Sequence, residues 1–326
     1  MSRARGGDGA ARGGCPPRRH HPDVDLSTTV GSVTLPSPVM TASGTAGHGA
    51  ELAHYVDLGA IGAVVVKSVS SDPWPGNPAP RVHETPAGMI NAVGLQGPGI
   101  EAWIADDLPA LEATGARVVA SIWGRSVDDY GRAAAALADV SGSVVAVEVN
   151  LSCPNVEARQ GIFAHDPVTA ARAIEVAGGC GRPLWAKLSP NVTDLVSIAA
   201  AVREAGAAAV TLVNTFMAMS IDPETRRPRL GAGGGGLSGP AIHPIAVRAV
   251  YDVHAAFPDL PIVGVGGVLT GDDAIEFLLA GASAVQVGTA TFAEPRAVGR
   301  VQEEVEDWCH RHGVARVAEL IGGAHA

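Results

Sequence analysis

The chain has 326 residues, of which 47% are hydrophobic, 17% charged and only 4% aromatic, and its formal net charge is -10. That is enough apolar material for one large domain or two ordinary ones, with a core of Ala, Val, Leu and Ile. The acidic balance argues against a nucleic-acid protein, and no stretch reaches the roughly 20 apolar residues of a membrane-spanning helix, so a small-molecule ligand is expected.

Residues 1–22 are rich in Arg, Gly and Pro, include Arg18-Arg19-His20-His21, and hold no apolar run. They read as a disordered tail rather than a secretory or twin-arginine signal, with a basic interaction arm as the alternative. From Asp23 the pattern changes to short apolar runs alternating with Ala-rich helical stretches. Strands are expected at residues 39–42, 63–67, 118–122, 144–150, 184–187, 209–214, 262–264 and 284–287. Helices are expected at 50–56, 100–112, 127–138, 167–177, 195–204, 240–256, 272–280 and 296–310. Asp166-Pro167 and Thr193-Asp194 are helix openings, and Gly206 is a stop. Such a series of strand–helix units predicts an α/β fold, a (β/α)8 TIM barrel in a single domain over residues 23–326. An open doubly wound sheet is the alternative. Two insertions, residues 68–99 and 216–237, follow strands and therefore fall on the C-terminal face, as lids or binding loops.

The fourth strand carries the densest signal. Val144-Val145-Ala146-Val147-Glu148-Val149-Asn150 is a buried-strand pattern, and it runs into Leu151-Ser152-Cys153-Pro154-Asn155. Strict alternation would put Ala146, Glu148 and Asn150 on one face and Val145, Val147 and Val149 on the face that needs a helix layer. Three further strands end in a polar residue that a barrel interior does not require: Lys67, Lys187 and Asn214. The C-terminal rim is where sites form in this fold.

The last two strands run into Gly264-Val265-Gly266-Gly267 and Val287-Gly288-Thr289. Glycine lets backbone N–H groups approach an anion, and this pair of loops binds phosphate in many barrels. Gly233-Gly234-Gly235-Gly236 reads as a flexible hinge. The phosphate site suits a mononucleotide such as FMN, since Ala42-Ser43-Gly44-Thr45-Ala46-Gly47 lacks dinucleotide spacing. Cys15, Cys153, Cys180 and Cys309 form no Cys-x-x-Cys pair, so no metal or cluster site is expected on this chain, and reduced, cytoplasmic thiols are. Cys153, in its polar loop, is the candidate acid/base; the other three are assigned to packing.

These residues resemble a known family, the class 1 dihydroorotate dehydrogenases. The likeness is carried by Asn150-Leu151-Ser152-Cys153-Pro154-Asn155, Asn91-Ala92-Val93-Gly94-Leu95-Gln96, Lys187-Leu188-Ser189-Pro190-Asn191, Val213-Asn214-Thr215, Leu237-Ser238-Gly239-Pro240-Ala241-Ile242, Gly76-Asn77-Pro78-Ala79-Pro80-Arg81 and the 264–267 turn. It implies an FMN barrel that oxidises (S)-dihydroorotate to orotate in pyrimidine biosynthesis, with Cys153 removing the C5 proton while a hydride leaves C6. It implies that Lys67, Asn91, Ala92, Val93, Gly94, Leu95, Asn150, Asn155, Asn214 and Thr215 hold substrate. FMN would be held by Ser43, Lys67, Ser68, Ser121, Asn150, Lys187, Val213, Gly239, Gly266, Gly267, Gly288 and Thr289.

Within the class, Ser189-Pro190-Asn191-Val192-Thr193-Asp194 and Gln96-Gly97-Pro98-Gly99 look most like the NAD-linked subgroup. That subgroup implies a homodimer of barrels, extended to a heterotetramer by a partner carrying FAD and a [2Fe–2S] cluster, with fumarate as the alternative acceptor. Ala120-Ser121-Ile122-Trp123-Gly124 departs from the subgroup, placing Ser121 where asparagine is usual, and Phe216-Met217-Ala218-Met219-Ser220 departs too. Rival readings are a dihydropyrimidine dehydrogenase-like enzyme acting on uracil or thymine, a dihydrouridine synthase, and a non-catalytic flavin or phosphate-binding scaffold.

Overall fold

The computed structural model describes residues 21–48, 50–152, 154–155 and 161–326, without the side chains of 154, 155, 161, 162 and 164. Eight parallel strands form one sheet. In chain order they are Val39–Thr41, Val64–Val65, Val118–Ile122, Val144–Asn150, Leu184–Lys187, Ala209–Leu212, Ile262–Val265 and Ala284–Val287. From the second to the eighth, each pairs with the next in sequence, and the eighth pairs with the first. The seam between the first two is closed by Gly62 N donating to the Val39 carbonyl at 2.8 Å and Thr41 N to that of Ala63 at 3.2 Å. There the Thr41 hydroxyl oxygen stands in for a backbone acceptor, taking the Val65 N–H at 2.9 Å. The sheet is thus a closed (β/α)8 barrel, and the open doubly wound alternative is excluded.

Helices lie outside the strands, and their starts follow the capping chemistry in the sequence. Ser126 and Thr270 form capping boxes with Asp129 and Asp273. Asp166 and Asp194 accept from the N–H groups of Thr169 and Ser197. The helix Leu195–Glu204 stops before Gly206, whose φ is +99°. Several expectations need correction. The helix expected at 100–112 is α-helical at Ile100–Ala102 and Leu108–Glu112 with a π-helical turn, Trp103–Asp107, between them. The strands expected at 63–67 and 209–214 are shorter, Val64–Val65 and Ala209–Leu212. Residues 50–56 do not form an α-helix but a short 3-10 turn, Ala50–His54. The eighth unit has two helices, Ala290–Ala293 and Ala297–His312.

The core is double. Between strands and helices lies a continuous shell of Val, Ala, Leu and Ile, as the composition requires. Inside the barrel a smaller cluster contains Met40, Val65, Val119, Ala146, Trp185 and Val263. Its lower end is stoppered by a hairpin, Thr28–Val30 with Val33–Leu35, whose Val30 and Leu35 are fully buried. Fully burying such side chains is worth about 1.5–3 kcal/mol each.

The fourth strand departs from strict alternation. Its pairing with the third slips between Val118 and Val119, which pair with Val144 and Ala146, so Val145 is a bulge. Val144, Val147 and Val149 face the helices, whereas Val145 packs against the inner cluster. Above the bulge the expected parity holds, and Glu148 points into the barrel beside Thr211.

Candidate active site

The two insertions are not separate loops. Val82–Thr85 and Gly88–Asn91 of the first join Phe216–Ala218 and Gly235–Ser238 of the second in a four-stranded antiparallel sheet over the C-terminal face. The hinge expected at residues 233–236 is therefore corrected: Gly235 and Gly236 are strand residues. Glycine is required there by close approach. A Cβ on Gly236 would stand 2.0 Å from the Thr215 hydroxyl oxygen, and one on Gly235 would stand 2.4 Å from the Asn91 carbonyl oxygen.

Between this sheet and the barrel rim lies a cleft of about 420 Å³, a size ordinary for small-molecule sites. It is lined by nearly every residue the sequence singled out. From the first two strand ends come Ser43, Lys67 and Ser68. The 91–95 loop brings Asn91, Ala92, Val93, Gly94 and Leu95. The fourth to sixth strands bring Asn150, Lys187, Val213, Asn214 and Thr215, and the remaining wall is Gly239, Gly266, Gly267, Gly288 and Thr289. Ser121 is absent from the lining. It lies beneath it, buried, with its hydroxyl 3.5 Å from the Glu148 carboxylate. The backbone of Asn155 pairs with Gly161; its side chain, and Cys153 altogether, lie outside the described residues.

The polar rim is held as one network. Asn150 Nδ2 donates to Ser68 Oγ at 3.2 Å, and its Oδ1 accepts from Ser152 N and Asn214 Nδ2, each at 3.2 Å. The Asn150 carbonyl in turn accepts the buried Tyr130 hydroxyl at 2.8 Å. Ser43 Oγ is 3.1 Å from Ser68 Oγ. Asn91 Nδ2 reaches the Gly236 carbonyl at 3.4 Å across the overlying sheet. Holding several amides at fixed angles suits recognition of a planar ligand with alternating donors and acceptors.

On the opposite wall, Gly266 and Gly267 have φ of +144° and +72°. A Cβ on Gly267 would stand 2.7 Å from that of His243 and 2.8 Å from the Gly239 carbonyl oxygen, so the turn presses directly on the start of the helix His243–Ala256. Thr289 Oγ1 donates to Ser238 Oγ at 2.8 Å. A glycine turn at the start of a long helix is a receptive place for an anion. The charged side chains among the described lining residues are Lys67 and Lys187, with no carboxylate. In a protein of net charge -10 this is a local reversal of sign.

The lining residues Asn77, Ser238 and Phe292 were given no role from the sequence, nor was Arg81 behind them. Asn77 orients the 91–95 loop, its Nδ2 donating to the Ala92 carbonyl at 3.1 Å, and Arg81 braces the same segment through the Asn77 carbonyl at 2.6 Å. Both stand in the quoted 76–81 motif, which was the available signal. Leu95 has φ of +61°, an unfavourable conformation for a non-glycine residue. Ser238 and the exposed Phe292 also line the cleft. Cys180 and Cys309 are buried, and burial pushes both thiols up, that of Cys309 to about 11, in keeping with a packing role.

Fold and cleft together define a (β/α)8 barrel with a cation-lined, anion-receptive mouth at the C-terminal ends of its strands. A family model described as Dihydroorotate dehydrogenase matches residues 25–308. The chain is 50% identical over 303 residues to the "Dihydroorotate dehydrogenase B (NAD(+)), catalytic subunit" of Desulforudis audaxviator (strain MP104C), covering 93% of this chain and 98% of that one. It is 48% identical over 299 residues to the protein of the same name from Geobacter sp. (strain M21), covering 91% and 97%. The chain belongs to the dihydroorotate dehydrogenase family. Among the described residues no helix is long and apolar enough to cross a membrane.

Proposed function

We propose that this chain is the catalytic subunit of an NAD-linked dihydroorotate dehydrogenase, oxidising (S)-dihydroorotate to orotate in pyrimidine biosynthesis with FMN as its cofactor. The observation that carries the reading is the cleft itself: lysine-lined, ringed by asparagine amides on one side and closed by glycine turns on the other. The residues present fit the cofactor. Gly239, Gly266, Gly267, Gly288 and Thr289 would hold its phosphate, while Ser43, Ser68, Val213 and the two lysines would hold its ring. When bound, the flavin supplies a two-electron acceptor for the hydride that leaves C6.

The chain's own residues do the rest. Lys67, Asn91, Asn150, Asn155, Asn214 and Thr215 bind the anionic, imide-bearing substrate and fix its face toward the cofactor, with the 92–95 backbone closing around it. Cys153 takes the C5 proton, so that loss of a proton and a hydride leaves the C5–C6 double bond. Ser121 supports the cofactor pocket through Ser68. We assign the chain to the cytoplasm as a homodimer, joined by an electron-transfer partner bearing FAD and a [2Fe–2S] cluster that passes electrons to NAD.

The test is anaerobic mixing of the purified, flavin-loaded protein with dihydroorotate while its visible spectrum is recorded. Bleaching, with stoichiometric orotate formed, is expected; a flavin that stays oxidised overturns the reading. Adding NAD, fumarate or a quinone afterwards, with and without the partner, identifies the acceptor.

A further inference from the structure

Behind the cleft floor lies a buried charge network whose carboxylate, Glu148, the proposed chemistry leaves without a role. Glu148 is fully buried and does not reach the cleft. One carboxylate oxygen lies 3.4 Å from Lys187 Nζ and 3.5 Å from Ser121 Oγ. The other accepts from Gln286 Nε2 at 2.8 Å and Thr211 Oγ1 at 3.2 Å. Gln286 then turns its amide oxygen to Lys187 Nζ at 3.3 Å. Four strands thus contribute to hold one ammonium group, and that ammonium is one of the two cations facing the ligand.

Removing a carboxylate and an ammonium from water costs several kcal/mol per ion, so such a pair is a poor device for stability alone. An apolar pair of similar volume would fill the barrel at least as well. What this pair provides is a lysine of fixed direction whose positive charge is partly balanced from behind. Charge felt by a ligand in a low-dielectric site depends strongly on such a counter-ion.

We propose that Glu148 is a positioning residue that sets, through Lys187, how strongly the cleft favours the reduced over the oxidised flavin; this rests on the FMN reading given above. The carboxylate holds the lysine in place and offsets its charge. Removing that negative charge while keeping the side chain's shape leaves Lys187 more electropositive, and the more electron-rich, reduced flavin gains relative to the oxidised one.

The test uses Glu148→Gln, which keeps the side chain's volume and one acceptor oxygen but removes the charge and exchanges the other acceptor for a donor NH2. In the flavin-loaded protein its two-electron midpoint potential should rise by a tenfold change in the reduction equilibrium or more, about 30 mV. An unchanged or more negative potential overturns the proposal, because a carboxylate that only filled space would leave the potential where it was. A second measurement needs no flavin. In urea unfolding of the apoprotein, Glu148→Gln combined with Lys187→Met should be more stable than Glu148→Gln alone, since the double variant no longer buries an uncompensated ammonium. A double variant no more stable than the single one overturns the coupling between the two residues. Failure of the wild-type protein to take up FMN would instead overturn the cofactor reading, and would leave the unfolding experiment still able to decide whether Glu148 acts through Lys187.

Discussion

The hydroxyl oxygens of Ser68 and Ser121 lie 2.8 Å apart in a buried contact between the ends of the second and third barrel strands. Ser121 is thereby the joint between the rim, through Ser43 and Asn150 on Ser68, and the buried carboxylate of Glu148. Ser121→Ala should cost about 1 kcal/mol, the net worth of a hydrogen bond whose partner keeps other contacts. Urea unfolding of the apoprotein measures it. A variant as stable as wild type would mean that Ser68 re-pairs without loss.

Cys153→Ala should retain bound FMN and slow its reduction by dihydroorotate by about 10²–10⁴-fold, the usual scale of acid–base assistance. Anaerobic stopped-flow absorbance reads the rate directly. Reduction at the wild-type rate would remove Cys153 from the proposed mechanism.

Gly236→Ala places a methyl group where the Thr215 hydroxyl now stands, 2.0 Å from its oxygen. Thr215 must move, and with it one side of the proposed substrate site. The KM for dihydroorotate should rise about tenfold, matching loss of a hydrogen bond of roughly 1.4 kcal/mol, while FMN content stays at the wild-type level. Loss of FMN instead of substrate affinity would contradict the division between the two walls of the cleft.

Gly267→Ala tests the other wall. The glycine's φ of +72° and its contact with His243 leave no room for a side chain. The variant should bind FMN at least tenfold more weakly, read by quenching of flavin fluorescence, with riboflavin affinity little changed. Equal weakening for both ligands would show that this turn does not meet the phosphate.

His254 gives a pH-dependent effect with a definite sign. Burial lowers its pKa below the ordinary 6.5, with the nearby His325 adding to the shift, so the folded protein favours the neutral ring. The associated stability is present above the unfolded-state value and is lost as pH falls through the folded-state one. The His254 ring lies against Gly281 and Gly322 and is 4.8 Å from that of His325, which itself stacks on Tyr251 at 3.9 Å. Acidification below pH 6.5 should therefore loosen the C-terminal turn first, seen as faster amide exchange in residues 322–326. Exchange that is flat between pH 7 and 5.5 after correction for intrinsic rates would refute this.

Much of the fold was legible because the barrel strands are short apolar runs, several of them valine-rich, that lead into glycine or a polar residue. Lys67, Asn150, Lys187 and Asn214 stand out in such runs, and the cleft does gather all four. What escaped notice depends on contacts distant in sequence. The bulge at Val145 arises from register with the third strand and leaves no mark in a run of valines. The sheet joining Gly88–Asn91 to Gly235–Ser238 is glycine-rich and lacks alternation, so periodicity is silent about it. Glu148 could be placed on the inward face, yet its partners Lys187, Thr211 and Gln286 come from three other strands.

That added sheet makes the two insertions mechanically one body. Asn91 and Gly236 are register partners, as are Ile90 and Leu237, although some 145 residues separate them along the chain. The 91–95 loop is thus tied by backbone hydrogen bonds to the strand beside Thr215. A substitution that displaces Gly236 therefore cannot leave Asn91 untouched, and the two edges of the cleft roof answer to one set of backbone bonds.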